Sequence, residues 1–204
     1  MQNIKNIIFD LGGVILDIDF KKTEKAFIDL GVTNFNELFG LGRAESFFKD
    51  HESGKITDDE FLGSLQKLAG HSFEAGLVQE AWNALLISFP PERIELLKRI
   101  KDNYRLFLLS NTNGIHRVAF EKIYRDGFNN GSLDSLFEKA YYSYQIGLRK
   151  PNKEAYEFVL KENQLVPEET LFIDDALINV EAARECGMQG IHLQPGQTLL
   201  DLGL

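Results

Sequence analysis

Ile7-Ile8-Phe9-Asp10-Leu11-Gly12-Gly13-Val14-Ile15-Leu16-Asp17 is the stretch on which the reading of this chain turns. An apolar run with no polar alternation reads as a strand buried on both faces of a parallel sheet. Its arrest on Asp10, followed by Gly12-Gly13, puts one carboxylate at the strand's carboxyl end, where open α/β sheets place ligands. Such an acid is a candidate nucleophile or metal ligand. Taken alone it reads equally as a turn or helix-capping residue, and Gly-Gly is ordinary turn chemistry.

Working outward, 204 residues at 44% hydrophobic composition suffice for a real core, as one domain or as a core domain with a modest insertion. Lys and Arg number 22 against 31 Asp and Glu, a net charge of -9 that argues against nucleic acid or an anionic membrane surface as partner. A single cysteine, Cys186, forms no internal disulfide, reads as a small buried residue near a helix end, and fits a reducing cytoplasm. The stretch Ile4–Leu16 is broken by Lys5, Asn6 and Asp10, which suits neither a signal peptide nor a membrane span.

From Asp17 to about Pro90 the apolar residues fall at helical spacing, Phe27, Leu30, Phe47, Phe48, Phe61, Leu65, Val78, Trp82 and Leu85 among them. This predicts amphipathic helices without strands between them: a helical insertion, 17–90, after the first strand. Pro90-Pro91 marks the return to a core made of 1–16 and 91–204. Beyond it, helices at about 92–101, 153–163 and 178–186 alternate with strands at 105–109, 140–142, 170–173 and 190–192, and a further helix opens near Gly114. That alternation implies the α/β class, a Rossmann-like, doubly wound parallel sheet flanked by helices.

Three further segments share the setting of Asp10. Ser110-Asn111-Thr112-Asn113 follows the run Leu106–Leu109 and offers hydroxyl, amide and backbone N–H donors, suited to a phosphoryl oxygen or to capping a helix. Gly147-Leu148-Arg149-Lys150-Pro151 sets a basic pair between a glycine turn and a proline suited to a first helical turn. Most lysines are solvated surface groups, but at a sheet edge the Lys150 ammonium offsets phosphate and carboxylate charge. Leu171-Phe172-Ile173 ends on Asp174-Asp175, two acids that repel unless a cation lies between them and Asp10; the alternative is a helix cap with a first-turn acid. A divalent ion is the simplest account. Mg2+ is preferred because the donors are hard oxygens and His51, His71, His116 and His192 form no spaced pair for zinc.

Asp10, Ser110, Lys150 and the Asp174-Asp175 pair, in this order, resemble the four motifs of the haloacid dehalogenase superfamily, and the match spans almost the whole chain. Phe9–Phe20, Leu109–His116, Gly147–Pro151 and Phe172–Asn179 are similar to the bacterial alpha-D-glucose-1-phosphate phosphatase subgroup. The resemblance implies a haloacid-dehalogenase-like core with a small helical cap, and Mg2+-dependent hydrolysis of small phosphorylated metabolites such as glucose 1-phosphate. Asp10 would attack phosphorus and form an aspartyl phosphate. Asp10, the Gly12 carbonyl and Asp175, helped by Asp174, would bind Mg2+. Ser110, the backbone at Asn111, and Lys150 would hold the phosphoryl oxygens. Arg43, His51, Glu52 and Trp82 are the cap candidates for contact with the leaving group, and the cap leaves monomer and homodimer both open.

Gly12 departs from the superfamily pattern. Its phosphatases carry a second Asp there as general acid, a role worth roughly a hundredfold to ten-thousandfold in rate. A leaving group needing little protonation, such as an anomeric sugar hydroxyl, answers the loss. Two other answers stay open: a 2-haloacid dehalogenase, which also lacks that Asp, and a non-catalytic sugar-phosphate- or partner-binding module. The acid pair argues against metal-free dehalogenation, and the retained Asp10 and Lys150 argue against a mere binder.

Overall fold

The computed structural model describes residues 3–32, 35, 43–69, 74–129 and 131–204, with the backbone alone for 43–45, 68–69 and 75. Its strands are β1 (Asn6–Phe9), β2 (Asp17–Ile18), β3 (Leu86–Ser88), β4 (Arg105–Ser110), β5 (Lys139–Tyr142), β6 (Thr170–Asp174) and β7 (Gln189–His192). Five of them form a parallel sheet in the order β5-β4-β1-β6-β7.

Side chains alternate across this sheet, as the pleat requires. Ile7 and Phe9 of β1, Leu106 and Leu108 of β4, and Leu171 and Ile173 of β6 enter one hydrophobic cluster. Ile8, Phe107, Leu109 and Phe172 enter another on the opposite face. Helices α5 (Pro91–Ile100) and α6 (Gly114–Gly127) cover the first face with Ile94, Leu97, Phe120 and Tyr124; α8 (Lys153–Glu162) and α9 (Leu177–Glu185) cover the second with Tyr156, Val159, Val180 and Ala183. Apolar burial on both faces explains why the strands read as unbroken apolar runs. Strands and helices fall within one or two residues of the positions predicted from the sequence.

Between β1 and α5 lie α1 (Phe20–Asp29), α2 (Arg43–Glu52), α3 (Asp58–Ala69) and α4 (Ala75–Asn83). Asp19 caps α1 by accepting the Lys21 N–H at 3.0 Å. Phe27, Phe61, Leu65, Val78 and Ala81 gather into a third cluster, which Ile115 of α6 joins. The expectation that this segment holds no strands is corrected: β2 and β3 pair antiparallel, Asp17 opposite Ser88 and Ile18 opposite Leu86, at its two ends. Strands of two and three residues are too short for alternation to show. Cys186, expected buried, is half-buried at the C-terminal cap of α9 and has no disulfide partner. No helix among the described residues is long and apolar enough to cross a membrane.

Candidate active site

β1 sits where the strand order reverses, between β4 and β6, and the crevice of a doubly wound sheet opens there. Asp10 follows β1 directly and donates its N–H to the Ile173 carbonyl at 2.9 Å. Ser110 ends β4 and Asp174 ends β6. Because Phe9 lies opposite both Leu108 and Ile173, the parallel register carries all three residues to one edge.

Lys150 reaches this edge on the loop after the short helix α7 (Ser143–Ile146). Its ammonium, 1% exposed, lies 2.6 Å from Asp10 Oδ1 and 2.7 Å from Asp174 Oδ2. Burial alone would lower its pKa, but the two carboxylates more than reverse that and raise it. Asn111 fixes the loop at two points. Its Oδ1 accepts the Lys150 N–H at 2.9 Å and its Nδ2 donates to the Lys150 carbonyl at 2.8 Å. Both polar atoms of the Asn111 side chain thus bond the Lys150 main chain. Pro151 does not open a helix as expected: Asn152 intervenes as the N-cap of α8, which starts at Lys153.

Asp10, Asp174 and Asp175 each place a carboxylate oxygen within 4.8 Å of the other two. Burial raises the pKa of Asp10, Lys150 pulls it down, and Asp174 raises it further. Asp175 is raised by burial first and by Asp174 next. Three hard oxygens crowded against a single ammonium make a donor set that suits a hard divalent cation. Asp174 does not cap α9, whose N-cap is Ala176; its Oδ1 instead accepts the Ala176 N–H at 2.8 Å in the turn that leads into the helix. Asn179 donates to both oxygens of Asp174 at 3.1 Å, a role the sequence reading missed; its place five residues beyond Asp174, inside the following helix, is the available signal.

Gly13 has φ +75, and a Cβ there would lie 2.2 Å from Asp175 Oδ2, so conformation and space both demand glycine beside the acid pair. Gly12, bridged to Leu16 in the loop after β1, has Ile18 Cδ1 3.1 Å from where its Cβ would be. Within Ser110–Asn113 it is Asn113 that takes the capping role, its Oδ1 accepting the His116 N–H at 2.9 Å. No described hydrogen bond engages the Ser110 hydroxyl, which borders a cavity of about 360 Å3 between the sheet edge and the helical segment.

Of the cap candidates, Glu52 and Trp82 line this cavity. His51 does not: it is 2% exposed, lies 2.7 Å from Asp58 Oδ1 through Nε2 and stacks on Phe61 at 3.9 Å, which makes it an interior residue of the helical segment. The Arg43 side chain and His71 lie outside the described residues.

A doubly wound sheet with a helical segment after its first strand, and with an acid, a hydroxyl, a lysine and an acid pair meeting at the switch point, defines a haloacid dehalogenase-like hydrolase. The comparison with known families agrees: residues 4–187 match the haloacid dehalogenase-like hydrolases, and the chain belongs to them. It is 32% identical over 194 residues to the D-ribitol-5-phosphate phosphatase of Bacteroides thetaiotaomicron, covering 95% of this chain and 93% of that one. It is also 32% identical over 195 residues to a sesquiterpene phosphatase of Aspergillus oryzae, covering 93% and 89%. A crystal structure of a HAD family enzyme from Bacteroides thetaiotaomicron, in complex with magnesium and inorganic phosphate, matches with a TM-score of 0.90 at 32% identity over 98% of both chains.

Proposed function

We propose that this hydrolase is a Mg2+-dependent phosphatase of small phosphorylated metabolites that works through an aspartyl phosphate on Asp10. The observation that carries the reading is the position of Asp10, held by Lys150 at 2.6 Å and facing Asp174 and Asp175 across a gap of cation size. The Asp10 carboxylate attacks phosphorus, the bond from phosphorus to the leaving oxygen breaks, and that oxygen takes its proton from water because position 12 carries no acid. Water then attacks the aspartyl phosphate, releasing inorganic phosphate and restoring Asp10. Lys150, the Ser110 hydroxyl and the backbone at Asn111 hold the phosphoryl oxygens in line. Asp10, Asp175 and the Gly12 carbonyl, with Asp174 in support, would hold Mg2+, which would supply charge neutralisation at the phosphoryl group.

The magnesium and phosphate bound by the Bacteroides enzyme support this reading, as do the phosphatase names of the relatives. The D-ribitol-5-phosphate relative favours sugar phosphates, the class that includes glucose 1-phosphate, whereas the sesquiterpene relative widens the choice of leaving group. Residues 17–90 act as a cap over a core of 1–16 and 91–204. The free Cys186 supports a reducing cytoplasm, for a monomer or homodimer.

The test is phosphate release from a panel of sugar phosphates and an aryl phosphate with and without Mg2+, beside intact-protein mass measured after acid quench. Release that needs Mg2+ is expected, with a phosphoryl adduct on the native protein and none on Asp10→Asn. Turnover undiminished in Asp10→Asn, or independent of divalent metal, overturns the proposal.

A further inference from the structure

The cavity beside Ser110 and Gly12 is apolar over most of its wall. Leu16 and Ile18 line it from β2 and the loop before it, Phe20 from α1, Phe48 from α2, Trp82 from α4 and Phe120 from α6. Phe48, Trp82 and His116 stack as nearly parallel rings, with centroids 5.2 and 4.9 Å apart and planes 11° and 14° from parallel. Phe20 is 70% exposed at the cavity, a large ring in water that gains by being covered.

The polar side chains of the wall are mostly engaged already. Both amide atoms of Asn111 bond the Lys150 main chain. His116 meets Asn113 through Nδ1 and the Trp82 carbonyl through Nε2, and the Thr23 hydroxyl donates to that same carbonyl at 3.3 Å. Glu52 accepts from Arg149. Among the described residues this leaves the second carboxylate oxygen of Glu52, Oε1, at one end of the wall and the Ser110 and Thr112 hydroxyls at the other, and Ser110 faces the phosphoryl group. A polyol entering here gives up water at every hydroxyl and finds few partners, and a buried hydroxyl without a partner is unfavourable. A hydrocarbon or aryl group sacrifices no hydrogen bond and gains the full burial.

We infer that the site selects phosphate monoesters whose organic part is apolar, seated against Phe20, Phe48 and Trp82, with a polyol chain as a poor occupant. The inference rests on the phosphatase reading and names its substrate class.

Three phosphorylated compounds, one acyl phosphate and two monoesters, test it, each with Mg2+. Acetyl phosphate reports the chemistry without filling the cavity, while cyclohexylmethyl phosphate and a pentitol 5-phosphate, both primary alkyl esters, report selection. The expected result is hydrolysis of acetyl phosphate and a kcat/KM for the cyclohexylmethyl ester at least about tenfold above that for the pentitol ester, the scale on which buried methylenes discriminate. Phe20→Gln and Ile18→Thr should each reduce that ratio several-fold. Val118→Gln, on α6 outside the cavity wall and 68% exposed, should leave it unchanged. Hydrolysis of acetyl phosphate with the pentitol ester equal or better overturns the selection alone. A ratio unmoved by both cavity variants overturns it too, and no hydrolysis of acetyl phosphate removes the phosphatase reading together with it.

Discussion

Arg149 and Glu52 join the loop that carries Lys150 to the helical segment: the guanidinium donates from Nε at 3.1 Å and from Nη2 at 2.7 Å to one carboxylate oxygen, Oε2. Arg149 precedes Lys150 in sequence and Glu52 is the last residue of α2, so this ion pair ties the Lys150 loop directly to the helical segment.

With the two side chains only 22% and 28% exposed, the pair falls at the upper end of the surface range, about 1 kcal/mol. Arg149→Met should raise KM several-fold with a smaller effect on kcat. A double-mutant cycle with Glu52→Gln should return a coupling of about 1 kcal/mol in unfolding free energy. Strictly additive effects would remove the pair as a link between the helical segment and the loop.

Lys150 neutralises two buried carboxylates, so its loss is a stability event before it is a catalytic one. Removing one partner of a buried ion pair costs about 3–5 kcal/mol. Lys150→Met should lower the urea midpoint accordingly in the absence of divalent cations, and added Mg2+ should recover part of the loss. A variant as stable as the native protein without metal would mean that the carboxylates are protonated or hydrated already.

His116 sets a pH dependence of stability. Burial pushes its pKa down to about 4, with the Trp82 carbonyl and Asp58 acting upward and His51 downward. In the unfolded chain the ring titrates near 6.5, so as pH falls the unfolded state takes the proton first. The ring therefore costs nothing above about pH 7. Between pH 6.5 and 4 it removes stability, in all about 3 kcal/mol at roughly 1.4 kcal/mol per pKa unit. His116→Gln should flatten this part of the curve of unfolding free energy against pH; an unchanged curve would assign it elsewhere.

Gly12 and Ile18 compete for the place of a general acid, since a Cβ at position 12 would lie 3.1 Å from Ile18 Cδ1. Gly12→Asp paired with Ile18→Val makes the room. The double variant should accelerate alkyl phosphates about ten- to a hundredfold and aryl phosphates much less, because proton donation matters most for basic leaving groups. Equal gains on both classes would show that the new carboxyl acts by another route.

Asp10, Ser110, Lys150, Asp174 and Asp175 are legible in the sequence because all but Lys150 stand at or beside a strand end, where an apolar run turns polar, and Lys150 is marked by its glycine turn. The hold of Asn111 on Lys150 and that of Arg149 on Glu52 are not, since they join residues 39 and 97 positions apart and depend on how elements meet. The apolar cavity is hidden for a different reason. Phe48 and Trp82 fall at helical spacing, and spacing marks an inward face without telling whether that face meets another helix or open space. His51 shows the converse, a polar residue on a helix that belongs to the interior.

The site is assembled from residues 10, 110, 150 and 174, supplied by three neighbouring strands and a loop that must all be in register. A chain still being translated holds Asp10 long before it holds Lys150 or the acid pair, and so carries the carboxylate without its countercharge or its neighbouring acids. The arrangement therefore comes together in one step, late in synthesis, and a product cut short before residue 174 lacks both the ion pair from Lys150 to Asp174 and the cluster of three acids.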